Sequence, residues 1–468
     1  MKMTDKINLS QFPLLMEIGK IANSQKTQVY AVGGFVRDYL LEQPSKDIDF
    51  VVIGNGPEFA RKVAEAFSAK GIVIYEKFGT ALVEIEDYKL EFVGARKESY
   101  RDGSRNPMVE PADLNADLAR RDFTINAIAA NLSPDHSGDL TDPFNGRSDL
   151  KKRIIQTPLE PFVTFQDDPL RIMRAIRFAT KLQFNIDEKS KKGMLETSSR
   201  LTIVSMERMT DEFLKILTAD KPSTGFILME ECGALQIIFP EFCQLKGIEQ
   251  IDGHHHKDVF YHTLKVLDNV AEVTQKVELR YAALVHDIAK PRTKNFIKGK
   301  GWTFHNHEEI GARMLPSIGK RLRFPQEMTK FAQKLTRLHL RPIALTEEEV
   351  TDSAYRRLLF QAGDELEDLI TLCRADITSQ NPKRVQKHLA NFDFVVQRLN
   401  EVEEKDQMRA FQSPVRGEEI MQIFSIKPGR QVGELKKQIE EAILDGEIPN
   451  EYEAAKAYLL NLKQASPQ

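Results

Sequence analysis

A chain of 468 residues, 41% hydrophobic and 29% charged, carries enough apolar material for several cored domains. A formal net charge of −3 excludes a uniformly basic nucleic-acid binder and leaves room for a local patch, since Lys and Arg outnumber Asp and Glu over residues 151–225. Three cysteines without metal-type spacing (Cys232, Cys243, Cys373), no basic-then-apolar leader and no apolar run near ~20 residues argue against a disulfide scaffold or a membrane span; the expectation is a cytoplasmic protein.

Apolar spacing over Leu14–Ala22 predicts a helix, followed by a strand over Gln28–Val32, a turn at Gly33-Gly34 and a helix to Leu41. Strands are expected at Asp47–Ile53, Ile72–Tyr75, Ala81–Ile85 and Leu90–Val93, with a helix over Glu58–Ala69. The segment Glu98–Ala116, rich in Arg, Asn, Pro and Asp and without periodicity, reads as a mobile loop. Beyond Asp122 the pattern turns helical nearly to the end, broken at Asp142-Pro143, Thr157–Pro161 and Lys221-Pro222. The expected class is α+β: a small mixed α/β head over 1–145, then a long all-α body. That body comprises a neck over 146–245, a histidine-bearing helical module over 246–383 and a helical tail over 384–468, which has a break at Lys427-Pro428-Gly429.

Chemistry is first announced by Gly33-Gly34-Phe35-Val36-Arg37-Asp38 followed by Asp47-Ile48-Asp49-Phe50. Side chains alternate along a strand, so Asp47 and Asp49 share a face while Ile48 and Phe50 point into the core. Adjacent carboxylates repel unless cations lie between them, and Mg²⁺ favours one or two carboxylates plus phosphate oxygens. Two such ions, ~4 Å apart, would activate an attacking hydroxyl and steady a leaving pyrophosphate. Glu91, on a later strand, is a third candidate carboxylate or a half-buried strand residue, and Arg96 just beyond it would meet a triphosphate or an RNA end.

Arg120-Arg121-Asp122-Phe123-Thr124-Ile125-Asn126-Ala127 has the form of a helix start, with Asp122 as cap, the arginines as an anion site and Asn126 in reach of a ribose hydroxyl. The alternative is a capped helix with exposed arginines. In Asp167-Asp168-Pro169-Leu170-Arg171-Ile172-Met173-Arg174, Asp168 and Arg171 are three apart and would project from one helix face. A carboxylate accepting from an exocyclic amine beside a guanidinium donating to a ring nitrogen matches cytosine and adenine, and reverses for uracil and guanine. The alternative is a plain intrahelical ion pair.

In this order, Gly33-Gly34-x-x-Arg37-Asp38, Asp47-x-Asp49, Arg120–Ala127 and Asp168-x-x-Arg171 resemble the class II tRNA nucleotidyltransferases, which include CCA-adding enzymes and bacterial poly(A) polymerases; Ser205-Met206-Glu207-Arg208 resembles a later helix-start motif of that family. The likeness spans roughly residues 25–245. It implies Asp47 and Asp49 as Mg²⁺ ligands with Glu91 beside them. Gly33, Gly34, Arg37, Arg121, Asp122, Asn126 and Arg174 would line the nucleotide site, and Asp168 with Arg171 would read the base. Asp167 stands where the family usually has Glu, and Phe92-Val93-Gly94-Ala95-Arg96 replaces a more familiar Thr-Thr-x-Arg. Phe78–Val83 in place of a basic Arg-Arg-Phe segment, and a C-terminus that is not basic, favour CCA addition to tRNA from CTP and ATP over poly(A) synthesis. The Glu98–Ala116 segment, whose loss is typical of CC-only relatives, is present; an A-adding enzyme stays open.

Farther on, Tyr261-His262, Val285-His286-Asp287, His305-Asn306-His307, His339 and Ala375-Asp376 form a second constellation, with donors suited to Mn, Fe, Ni or Zn. It resembles the HD phosphohydrolase superfamily over about residues 255–380. The resemblance implies His262, His286, Asp287 and Asp376 as the basic quartet and His307 and His339 as ligands of a second ion. His254-His255-His256 reads as a solvated turn. A rival reading of the whole chain is a hydrolase whose head only binds RNA.

Overall fold

The computed structural model describes residues 4–76, 79–99, 108–252, 255–298, 301–346, 350–379, 381–406 and 413–465. The chain divides into two compact units, Met1–Cys243 and Gln244–Gln468.

The first unit opens with α1 (Pro13–Ser24), β1 (Val29–Val32), α2 (Gly34–Leu40), β2 (Asp47–Val52), α3 (Gly56–Ala66), β3 (Ile72–Tyr75), β4 (Thr80–Ile85) and β5 (Tyr88–Gly94). It continues with β6 (Arg96–Ser99), β7 (Met108–Pro111), α4 (Leu114–Ala119), β8 (Ala129–Asn131) and β9 (Leu140–Thr141). Seven strands form one sheet in the order β3-β4-β5-β2-β1-β8-β9. All neighbours are antiparallel except β2 and β5, which run parallel at its centre.

Alternation along β2 decides what each face of the sheet does. Ile48, Phe50 and Val52 are buried on one face, where Phe50 stacks on Phe92 at 4.6 Å and Phe59 of α3 meets Phe92 edge-on at 5.7 Å. Each such ring buried from water stabilises the fold by roughly 1.5–3 kcal/mol. The start of α3 is capped by Asn55, whose side-chain oxygen accepts from the Glu58 amide. It passes so close over β5 that a Cβ on Gly56 would stand 2.6 Å from the Gly94 nitrogen. On the other face Val51, Val32, Tyr30 and Ala129 pack with Leu118 of α4, and Asp47 and Asp49 occupy the same face toward the start of β2.

Three expectations need correction. The chain beyond Asp122 is not yet helical, because β8 and β9 extend the sheet beside β1; a three-residue Ala129-Ala130-Asn131 strand is too short for periodicity to reveal. The flanks of the supposed Glu98–Ala116 loop form an antiparallel ladder, Arg96↔Pro111 to Ser99↔Met108, and α4 begins at Leu114, while residues 100–107 lie outside the described residues. His255 and His256 sit in the strand His255–Asp258, paired with Glu249–Asp252, and His254 is outside the described residues.

The rest of the first unit is mainly helical, with α5 (Gly146–Lys152), α6 (Pro161–Asp167) and α7 (Leu170–Leu182), then helices Glu188–Thr197, Met206–Leu217 and Pro222–Glu231, and one short parallel pair of strands, Ile154–Ile155 beside Asn185–Ile186. Helix α7 buries Ile172, Met173, Ala175, Ile176 and Ala179 along one stripe.

In the second unit, helices Val259–Val273, Val277–Val285, His307–Arg321, Gln326–Leu338 and Leu366–Ala375 surround the histidine residues, followed by Pro382–Asp406 and further helices to Ala465. A small hairpin pairs Asn295–Ile297 with Gly301–Thr303. Arg280, fully buried, donates to the carbonyls of Thr274 and Ala271 and closes the end of the first of these helices. The three cysteines are free thiols, with Cys232 and Cys373 buried. Among the described residues no helix is long and apolar enough to cross a membrane.

Candidate active site and metal centre

The parallel register of β2 and β5 sets Asp49 directly beside Glu91, with Asp47 beside Lys89. Asp49 and Glu91 therefore extend from the same face of the sheet, with Asp47 two residues along. Burial, together with the nearby Asp47 carboxylate, raises the pKa of Asp49 against the pull of Arg121, Arg174 and Arg37. Burial and Asp49 likewise raise Glu91, opposed by Arg96 and Arg121. Partly desolvated acids raised by burial and by a neighbouring carboxylate form a site that gains from a divalent cation, so the donor set fits Mg²⁺.

Arg121 faces these acids across Gly33. With φ +70° that glycine adopts a conformation other residues avoid, and a Cβ there would lie 3.1 Å from Arg121 Nη1 and 3.5 Å from Asp49 Oδ2. The guanidinium is steadied by Asp117 at 3.2 Å, and its Nε is buried without a hydrogen-bond partner. Arg120 donates to the same Asp117 at 2.6 Å. Asp117, fully buried, thus orients both arginines. Sequence reasoning missed it, although its spacing of three and four residues before Arg120 and Arg121 was a readable signal.

Several residues expected at the nucleotide are engaged with one another. Asp122 caps no α-helix: Thr124–Asn126 is a single 3-10 turn leading into β8, and Asp122 instead makes a two-pronged pair with Arg174, at 2.8 and 2.6 Å. Burial would push the Asp122 carboxyl up, but Arg174 and the Asn126 amide outweigh it and hold the pKa at about 2. Asn126 is fully engaged, its amide donating to Asp122 at 3.0 Å and its oxygen accepting from Arg37 at 2.7 Å. Buried Arg37 also grips Asp38 at 2.8 Å and lies 5.0 Å from the centre of the Phe178 ring. Arg174 and Arg177 flank the same ring at 5.6 and 4.2 Å. These interactions tie α2 and α7 to the Arg120–Asn126 segment. Gly34 opens α2 behind Gly33.

Asp168 and Arg171 do not share a helix face as expected. Pro169 disfavours helical backbone in the residue before it, so Asp168 is extended (φ −131°, ψ 96°) and α7 begins at Leu170. The Asp168 carboxylate accepts from the Leu170 amide at 3.3 Å, and Arg171 donates to the Arg120 carbonyl at 2.7 Å. No ion pair joins the two, so the plain salt-bridge reading does not hold. Both stay half-buried, and Arg171 links the start of α7 to the arginine pair.

The second unit brings together His262, His286 and Asp376 as one donor set and Asp287, His307 and His339 as another, each with ligand atoms within 4.8 Å of one another. Asp287 lies between the sets, with Oδ2 3.3 Å from His286 Nε2 and Oδ1 3.2 Å from His307 Nε2. His262 Nε2 meets Asp376 at 2.9 Å. All four rings are oriented from behind through Nδ1: His286 by the Ala283 carbonyl, His307 by Phe304, His339 by Thr336 and His262 by the Thr378 hydroxyl. Nε2 of each is left facing inward, the arrangement a metal ligand needs. His286 Nε2 is buried without a well-formed hydrogen bond, 3.3 Å from Asp287 and 3.5 Å from Asp376, so a cation there would meet an imidazole and two carboxylates together. Burial opposes charge on His286, yet Asp287 and Asp376 push its pKa up to about 10; burial and His286 hold His339 down to about 3. The residues fit one or two divalent ions. Sequence reasoning missed Lys290, which pairs with Asp287 at 2.6 Å, and Thr378. A cavity of about 650 Å³ opens on this centre and is also lined by His388 and Phe392, which the expected division at residue 383 had assigned to a separate tail.

The family description "Poly A polymerase head domain" matches residues 29–156, "Probable RNA and SrmB- binding site of polymerase A" residues 183–245 and "HD domain" residues 259–380. The A-adding tRNA nucleotidyltransferase of Deinococcus radiodurans is 29% identical over 93% of this chain and 96% of its own. The multifunctional CCA protein of Pseudoalteromonas atlantica is 30% identical over 84% and 96%. A tRNA nucleotidyltransferase solved with a primer tRNA and an ATP analogue is 25% identical, covering 82% of this chain and 99% of its own with a TM-score of 0.58. A CCA-adding enzyme in an apo form shares the fold at 23% identity and a TM-score of 0.63, covering 97% and 95%. With its acid-faced sheet, helical neck and histidine–aspartate centre, the chain belongs to the class II CCA-adding tRNA nucleotidyltransferase and poly(A) polymerase family, in the branch that carries an HD domain.

Proposed function

We propose that this chain adds C, C and A to the 3′ end of tRNA from CTP and ATP, without a nucleic-acid template, in the cytoplasm where these substrates meet. The observation that carries the reading is the acid face of β2 and β5, where Asp49 and Glu91 are register partners and Arg121 approaches across Gly33. Asp47 and Asp49 hold the cation, and Glu91 adds negative charge beside them. Mg²⁺, when bound there, makes the 3′-hydroxyl more acidic and takes up charge on the departing pyrophosphate. The 3′-oxygen bonds to the α-phosphorus of the nucleotide and the bond to the bridging oxygen of the β-phosphate breaks. Arg121 offsets charge on the triphosphate, held in line by Asp117. Arg37, Asp122, Asn126 and Arg174 act as positioning residues. Asp168 and Arg171, unpaired with each other, offer an acceptor and a donor to the edges of cytosine and adenine.

We also infer that the HD centre, loaded with an ion of the Mn, Fe, Ni or Zn type, hydrolyses phosphate esters at damaged RNA ends. The buried Nε2 of His286 and the outward-tied Nδ1 atoms support this. Addition of A alone is a second reading, favoured by the relative that spans 93% of this chain.

Labelled CTP and ATP, offered with tRNA lacking CCA, with tRNA ending in CC and with a generic RNA, separate the readings. The account predicts a product that stops after CCA on the first. Growth on the CC-ended tRNA alone would favour A addition, and a long A-tail on generic RNA would point to a poly(A) polymerase.

A further inference from the structure

Beyond Glu91, the row of residues that begins at Asp49 runs on to the edge of the sheet. Glu91 is paired with Leu82 of β4, and Leu82 with Val73 of β3, so all four side chains leave the same face. Tyr75, two residues along β3 and paired with Thr80, shares that face. The opposite face is covered by α3, with Phe59 on Phe92. Toward β1 the acid face is closed by Leu118 of α4 against Val51 and Val32. Toward β3 it stays open: Val73 is 53% exposed and Tyr75 46%, while Leu82 is half-buried. An edge strand usually turns charged side chains to water; here a valine and a tyrosine take that place, in line with the acids.

We propose that this open margin is the platform for the single-stranded 3′ end of the acceptor RNA, with Tyr75 stacking on one of its last bases over an apolar floor of Val73 and Leu82. The direction of the reaction carries the inference, which rests on the transferase reading above. In phosphoryl transfer the attacking and leaving oxygens stand roughly in line on either side of the phosphorus. Val32, the partner of Asp49 in β1, leads directly into Gly33 and α2, and Arg121 comes within 3.1 Å of the Cβ position there. The triphosphate and its departing pyrophosphate belong on that side. The 3′-hydroxyl then arrives from the other side, across Glu91, and the RNA behind it passes over β4 and β3. Strands lie about 4.8 Å apart, which puts Val73 roughly 14 Å from Asp49, the rise of about four stacked nucleotides. A tyrosine ring tolerates any base, because each offers a flat π face. Continuity with the acid row favours RNA over a second copy of this chain, which would need no such continuity.

Nucleotide incorporation by the full chain with Mg²⁺, on tRNA lacking CCA and on tRNA ending in CC, is compared for the parent, Tyr75→Ala and Tyr75→Phe. Tyr75→Ala should raise KM for tRNA by about 5- to 100-fold, with KM for the nucleotide within about twofold of the parent, and Tyr75→Phe should restore most of the loss. Abasic units placed in turn at the terminal positions of the RNA identify the stacked base. At one of them the parent should lose as much as Tyr75→Ala does, and the variant should lose nothing further. A parental KM for tRNA in Tyr75→Ala overturns the proposal, and so does an equal rise in both KM values, which marks a merely structural role. A dimer that dissociates in Tyr75→Ala with KM for tRNA unchanged would assign the face to a second copy instead. If the parent incorporated nothing, the transferase reading would fall, and filter binding of the same RNAs by the parent and Tyr75→Ala would still decide the platform.

Discussion

The head and the HD centre each gather donors suited to a divalent cation, with opposite electrostatics. In the head, acids share one face of a sheet, burial and a neighbouring carboxylate raise both Asp49 and Glu91, and the arginines that oppose this come from α2, α7, β6 and the segment after α4. In the second unit each acid is already matched by imidazoles and Lys290, and Asp287 and Asp376 stay well below the usual carboxylate range although burial opposes it. The difference follows from architecture. Strand alternation places acids two residues apart in sequence side by side, while a helical bundle must draw donors from His262 to Asp376.

The sharpest way to break this contrast is to disable one centre and watch the other. Asp287→Ala should lower metal content in the second unit and hydrolysis on the order of 10³-fold, with CCA incorporation within about twofold of the parent; metal analysis and parallel assays check it. A large loss of incorporation would tie the centres together. Next in size, Arg174→Ala leaves the buried Asp122 charge with only the Asn126 and Phe123 amides as donors and should cost about 3 kcal/mol in urea unfolding. Asp122 itself links stability to pH. Its folded pKa of about 2 lies below the ordinary 3.8, so its contribution, about 2 kcal/mol, is present above roughly pH 4 and fades as pH falls toward 2. Asp122→Asn should flatten that part of the stability curve. Smallest, Arg171→Ala should raise UTP and GTP misincorporation relative to CTP and ATP by about tenfold, read by competition between labelled nucleotides. A variant as strict as the parent removes Arg171 from base choice.

The contrast also explains what could be read in advance. Asp47 and Asp49 were legible because two residues in a strand share a face whatever surrounds them. That Asp49 would stand beside Glu91 depended on the parallel adjacency of β2 and β5, which no local pattern encodes. Around Asp168, residue spacing suggested a helix face, and the backbone restriction imposed by Pro169 overrode it. Asn126 and Arg37 looked like substrate contacts because polar residues in a motif do so; only their partners show that both are engaged. The histidines were visible as a set, but their pairing into two groups depends on long-range helix packing, as does the approach of His388 to the same cavity.

The measurement closest to the centre of the account is single-turnover incorporation of labelled CMP into tRNA lacking CCA, by Asp49→Asn and Asp287→Asn proteins beside the parent, across a Mg²⁺ series. The account predicts that Asp49→Asn falls on the order of 10³-fold and no longer responds to Mg²⁺, while Asp287→Asn follows the parent's curve. An Asp49→Asn protein that kept the parental rate and Mg²⁺ dependence would contradict it.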